Sequence, residues 1–326
     1  MQLAALSYGY GVTPESIAGT VVGVFPAACV IESEDGNLVA LVTAETGNLP
    51  GGIVVESPPT LTLPLKGGGD DMERERSSPS PQRGGGLGWG GISVGRQAVT
   101  VGGLLRFESG DLVIDIRPAR PWRSDLDALG LNLGRESPQH AWRAAANLLA
   151  TDGRAATFTR LAGSPIESLA EAVARFDYDS ASATVRSLVG LGEGTTPAGD
   201  DFLVGFLGGL WASAATDPTR QGFAQQIGEC AAVSADRTHR ASRIYLMAAA
   251  VGEVSERLTR LVAAIASDSV VPTADAARAS LDVGHSSGAC GVLGLLLGSS
   301  AWDAPSLARS LREGTVTPEP LPPVPA

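Results

Sequence analysis

Apolar and polar positions alternate in short runs over the first third of the chain; beyond that, apolar residues recur every three or four positions. The runs GTVVGVF, ACVIES, NLVALVT, GIVVE, QAVTVGG, LLRFESG and LVIDI lie between Gly19 and Ile116 and are separated by turn signals. Glu34-Asp35-Gly36 and Ser109-Gly110-Asp111 read as hairpin turns. This pattern predicts a small antiparallel sheet or barrel. RPARPWRSDLD, residues 117–127, reads as an exit linker, with Trp122 either anchoring it on the core or meeting a ligand. SPQHAWRAAANLLAT then opens a helical region with Ser137 as N-cap and Pro138 at the first helical position. IESLAEAVARFD, RQGFAQQIGECAAVSA, RTHRASRIYLMAAAV, SERLTRLVAAIA and APSLARSLRE continue the helical spacing. The expected fold class is α+β: a small antiparallel β-rich N-terminal domain over residues 1–126, then a larger all-α domain over 127–315 with two buried glycine-rich helices. A proline-rich tail, 316–326, is expected to be disordered.

Residues 57–91 interrupt the β-rich region with proline, glycine and charge. The two arms of this segment are related as an inverted repeat. One choice of codons for Gly84–Gly91, reverse-complemented and read in a shifted frame, spells Pro58–Pro64 and permits Leu65. The segment reads as a translated DNA element inserted into a surface loop, with too little apolar surface to offset ordering entropy. The alternative is a functional lid.

Composition narrows the chemistry. The chain has 326 residues, 44% of them hydrophobic, enough for one large or two modest cores. A net charge of −11 argues against nucleic acid or an anionic membrane surface as partner. No apolar run reaches the ~20 residues that span a bilayer, and the first residues lack the basic-then-apolar pattern of a signal peptide, so a soluble cytoplasmic protein is expected. Cys29, Cys230 and Cys290 are far apart and odd in number, which suggests neither a disulfide framework nor a CxxC site. His140, His239 and His285 have no metal-ligand spacing, and Lys66 is the single lysine available for a Schiff base or a P-loop. Neither a metal nor a cofactor is expected.

LVGLGEGTTPAGDDFLVGFLGGL, from Leu188 to Leu210, passes from a glycine-rich loop through two adjacent carboxylates into an almost wholly apolar helix. Thr196 and Pro197 read as N-cap and first helical residue. Gly205 and Gly209 thin one face of that helix, and its N-terminus favours anions. Asp200 and Asp201 either complement the helix dipole or hold a metal, a substrate amide or an arginine. They point about 100° apart, so both are not expected to reach one ligand. LDVGHSSGACGVLGLLLGSS, from Leu281 to Ser300, repeats the grammar, with Gly291, Gly294 and Gly298 thinning its helix. Two such helices would pack together in the core and bring both loops to one site. Gly284-His285-Ser286-Ser287-Gly288 matches a G-x-S-x-G elbow literally, but no histidine follows the serine, so a stand-alone hydrolase triad fails on order. Arg237, Arg240 and Arg243 share a helix face at three-residue spacing, either solvated or binding carboxylate or phosphate.

GLGEGTTPAGDDFLVGFLGGL and GHSSGACGVLGLLLG, with VIDIRPARPWR ahead of them, resemble the AllH-like family. Its named member is a subunit of oxamate carbamoyltransferase in anaerobic allantoin breakdown, a branch of purine catabolism. The resemblance implies carbamoyl transfer between oxalurate and phosphate, giving oxamate and carbamoyl phosphate. It also implies a hetero-oligomer with other carbamoyltransferase subunits, one of them similar to an acyl-CoA synthetase. Catalysis is then expected at Asp200, His285 and Ser287. Substrate or phosphate binding is expected at Gly192, Gly194, Thr195, Thr196, Gly199, Asp201, Ser286, Gly288 and Arg237. Asp200 would orient a substrate group while Asp201 fixes the loop. The alternative is a non-catalytic ligand-sensing or assembly subunit of such a complex.

Overall fold

A computed structural model describes residues 1–56, 89, 91–108 and 112–316. The chain divides into two compact units, Met1–Trp122 and Arg123 onward. The first holds strands β1 (Gln2–Tyr8), β2 (Ala18–Phe25), β3 (Ala28–Ser33), β4 (Leu38–Thr43), β5 (Gly52–Val55), β6 (Gln97–Val101), β7 (Leu104–Phe107), β8 (Val113–Asp115) and the short β9 (Arg120–Pro121). Their order is β5-β4-β3-β2-β6-β7-β8-β1-β9, and β5 also pairs with β1. That extra pairing closes β1 to β8 into an eight-stranded barrel and leaves β9 as an appendage of β1.

A small antiparallel sheet is therefore not what forms. β4–β5, β1–β8 and β1–β9 are parallel pairs among antiparallel ones. The difference comes from QLAALSY at the start of the chain, which the turn-and-run pattern did not include. Leu3 and Ala5 point inward with the two-residue period of a strand, and β1 slots between β5 and β8, pairing antiparallel with one and parallel with the other. Without β1 both neighbours would be open edges. The hairpin at Glu34-Asp35-Gly36 forms as expected: Gly36 takes φ +80°, and the Ser33 amide donates to the Asn37 carbonyl at 2.9 Å.

Most of the inserted segment, 57–88 and 90, lies outside the described residues, as do Ser109-Gly110-Asp111 and the tail from 317. Trp89 is described, and it belongs to the barrel core. It is fully buried, and its indole Nε1 donates to the Phe25 carbonyl at 3.0 Å. We propose that the inserted element ends before Trp89. Replacing residues 57–88 with a Gly-Ser linker is then expected to leave the melting temperature of the barrel unchanged. Trp89→Ala should cost about 3–5 kcal/mol in denaturant titration. Equal effects from the two changes would make the segment part of the barrel.

The second unit contains α1 (Glu136–Asp152), α2 (Ala156–Ala174), α3 (Tyr178–Leu188), α4 (Ala198–Ala214), α5 (Pro218–Ser234), α6 (Arg240–Ala249), α7 (Glu256–Ala266), α8 (Val270–Leu281), α9 (Ser287–Ser300) and α10 (Pro305–Glu313). Ser137 does not cap α1; the helix begins at Glu136, and the Ser137 hydroxyl instead donates to the Asp268 carboxylate. α2 kinks at Ala162, just before Pro165, whose ring nitrogen has no proton to continue the ladder. Among the described residues no helix is long and apolar enough to cross a membrane.

α4 and α9 form the axis of this unit. Both are buried on nearly every side, as expected of helices with no polar face. Their backbones touch. A Cβ on Gly205 would stand 1.9 Å from the Gly291 carbonyl oxygen, and one on Gly294 would stand 2.0 Å from the Phe202 carbonyl oxygen. Further along, Gly209 meets Leu295 and Ser299, while Gly298 meets Phe206 and Leu210. The contact points advance together along both helices, so α4 and α9 run parallel. Both N-termini therefore lie at one end.

Candidate functional site at the paired helix mouths

The loop before α4 turns back on the helix start. Gly192 takes φ +117°, where a Cβ would be strained and would also stand 2.9 Å from the Ala198 amide nitrogen. Gly199 is buried, and its amide donates to the Leu191 carbonyl at 2.8 Å. Thr196 is not the N-cap. α4 begins at Ala198 with Pro197 in the capping position, and the Thr196 hydroxyl instead meets the Ser287 hydroxyl across the mouths at 3.0 Å. Ser287 opens α9, Ser286 precedes it as N-cap, and the Gly288 amide donates to the Val283 carbonyl at 2.9 Å. The Gly199 and Gly288 amides thus serve the protein's own carbonyls. Donors for a ligand have to come from the exposed loop of Gly192, Gly194 and Thr195 and from the hydroxyls of Thr196, Ser286 and Ser287.

The two acids divide as their 100° separation requires. Asp200 is 1% exposed and spent on the fold: the Gly190 amide donates to its Oδ1 at 2.7 Å, and the Thr238 hydroxyl donates to its Oδ2. This ties the loop to the turn before α6, which is the part that Asp201 had been expected to play. Asp201 faces α9. Its Oδ2 is buried with no hydrogen-bond partner among the described residues. The Asp201 carboxyl is pushed up to about 7: burial raises it most, hydrogen bonding with Ser287 and Thr196 lowers it, and the neighbouring Asp200 raises it.

A family model described as oxamate carbamoyltransferase subunit AllH matches residues 188–299. That stretch is similar to the AllH family. The resemblance read from the glycine-rich motifs holds over these residues, and no curated protein and no solved structure matches the chain. The AllH stretch takes in both mouths and everything between them from α4 to α9; the barrel, α1 and α2 lie outside it.

Within the AllH stretch two side chains join the site that motif reading did not single out. Thr238 holds Asp200, and Tyr245 on α6 lies close enough to Asp201 to feel its charge. Burial pushes the Tyr245 phenol up to about 12, and the same causes, burial and then Asp201, push the Cys290 thiol to about 12. Both stay neutral at ordinary pH. Tyr245 falls on the inward face of an amphipathic helix, where spacing alone does not separate a site residue from core.

Two expected residues take no part in these hydrogen bonds. His285 is exposed in the turn before α9. Arg237 is exposed too, and its Nη1 donates to the Arg186 carbonyl near the end of α3 at 2.9 Å, a common use of arginine at a helix C-terminus. It does not share a helix face with Arg240 and Arg243, because the backbone becomes extended at Thr238 and α6 starts only at Arg240. Arg243 pairs with Asp236 at 2.7 Å. Among the described residues no group of three or more His, Cys, Asp or Glu side chains is placed to hold a metal ion.

Proposed function

We propose that this chain is a subunit of a carbamoyltransferase complex and that it holds an anionic substrate, phosphate or carbamoyl phosphate, between the mouths of α4 and α9. The observation that carries this reading is the parallel packing of α4 on α9 inside the AllH stretch. It sets two positive helix ends side by side, with the Thr196 and Ser287 hydroxyls 3.0 Å apart between them. The loop amides of Gly192, Gly194 and Thr195 and the three hydroxyls would bind phosphate oxygens. Oxalurate, with its own carboxylate, would lie toward Ser286 and His285. Transfer of a carbamoyl group to phosphate needs no protein nucleophile, so positioning and electrostatics would supply the rate. Other subunits, one of them similar to an acyl-CoA synthetase, would complete the complex.

Calorimetric titration of the full chain with phosphate and with carbamoyl phosphate tests this. Ser287→Ala and Thr196→Val should each weaken binding at least about tenfold, the scale of a lost hydrogen bond to a charged group. Binding in the assembled complex without carbamoyl transfer would favour a ligand-sensing subunit instead. Unchanged affinity in both variants would remove the mouths from the ligand site.

A further inference from the structure

We propose that Asp201 is the proton-transfer residue of this site, passing a proton to the nitrogen that leaves the carbamoyl carbon and taking one from the attacking phosphate. The assignment rests on the carbamoyl-transfer reading above. The two carboxylates of the mouth are not equivalent. Asp200 has both oxygens held by protein donors, the Gly190 amide and the Thr238 hydroxyl. Asp201 has a buried Oδ2 that no described residue satisfies. A buried, unsatisfied carboxylate oxygen is costly, and the cost falls if the group carries a proton or meets a donor brought by a ligand.

Burial and the neighbouring Asp200 favour the protonated form, and hydrogen bonding with Ser287 and Thr196 favours the ionised one. The ionisable groups that register with Asp201 are Asp200 on α4, Tyr245 on α6 and Cys290 on α9; no cation is among them. α2, α3, α5, α7 and the short turn Leu126–Leu129 also touch α4, and among the described residues none of them adds a charge that shifts Asp201. An incoming phosphate dianion would repel an ionised Asp201 and accept a hydrogen bond from a neutral one. Burial that places its titration near pH 7 suits a group that must both give and take a proton.

The step balances. A phosphate oxygen bonds to the carbamoyl carbon of oxalurate, and the bond from that carbon to the inner nitrogen breaks with its electron pair left on nitrogen. Asp201 gives that nitrogen its proton, which completes the amide of oxamate. The hydrogen phosphate ion gives up its own proton to the Asp201 carboxylate. Carbamoyl phosphate leaves, Asp201 is again neutral, and no oxidant, reductant or net proton is needed.

The test has two readouts. In the full chain carrying ¹³C-carboxyl aspartate, one resonance should titrate near pH 7, and Asp201→Asn should remove it. In the assembled complex Asp201→Asn should lower transfer at least about 10²-fold while phosphate still binds, and Asp201→Glu should recover part of the rate with a displaced pH profile. Asp201→Asn transferring at the wild-type rate with an unchanged pH profile would overturn the assignment alone, as would the absence of any such resonance. A wild-type chain that binds neither phosphate nor carbamoyl phosphate would overturn the carbamoyl-transfer reading and this assignment with it.

Discussion

Gly294→Ala and Gly205→Ala are each expected to destabilise the helical unit by about 3 kcal/mol or more, at or above the upper end of the usual cost of overpacking. The new methyl would have to occupy space now held by backbone: the Phe202 carbonyl oxygen at 2.0 Å and Phe206 nitrogen at 2.7 Å in one case, the Gly291 carbonyl oxygen at 1.9 Å in the other. A flexible side chain could swing aside; a helix backbone moves only as a whole. The helices would have to separate, which also parts Thr196 from Ser287 and should abolish anion binding at the mouths. Gly222→Ala is the control. Its site on α5 is open, so the substitution should stabilise by about 0.5–1 kcal/mol through helix propensity alone. Denaturant titration of the three variants reads the difference. Similar small effects at all three positions would mean that α4 and α9 do not pack this closely.

Asp201→Asn is expected to make the protein more stable above neutral pH and to change little at pH 4. The folded carboxyl keeps its proton up to about pH 7, whereas an unfolded one releases it near its ordinary value of 3.8. Between those values the folded chain binds the extra proton, so stability falls as pH rises and the loss is complete above pH 7. At about 1.4 kcal/mol per pH unit, that loss is bounded at about 4 kcal/mol. Asparagine has the same shape and cannot ionise, so the variant escapes the decline. Urea midpoints at pH 4.5 and pH 8 suffice to check it. An advantage of equal size at both values would show that Asp201 is ionised throughout. A residue whose removal stabilises the fold while stopping the reaction is one retained for chemistry.

The amino-acid pattern determined a good deal of this protein. Period-two runs placed β2 to β8, because a strand with one buried face must alternate, and the helical spacing placed α1 and α5 to α7. The facing glycines and the lack of any polar face mark α4 and α9 as a buried pair in the sequence itself. The local energetics of α3 and α8 were too weak to mark them: YDSASATVRSL and VVPTADAARASL are short, rich in small or β-branched residues, and helical only because tertiary contacts hold them. β1 was invisible for another reason. Its strand character lies in pairing with β5, 45 to 50 residues away in the chain, and with β8, more than a hundred away, and no local pattern encodes such a partner.

The same holds at the site. That only one of two adjacent acids could face a given ligand followed from the 100° step of the helix. Which one is left with an unpartnered oxygen depended on where α9 and the turn at Thr238 came to lie around α4, and that is a property of packing. Thr238 takes Asp200 because its turn passes that side, and Ser287 meets Thr196 because the glycines let α9 run parallel to α4 at backbone distance. Sequence supplied the groups and the spacing along one helix. The angle between helices assigned each group its neighbour, and burial by those neighbours, acting through desolvation, set the proton affinity of Asp201.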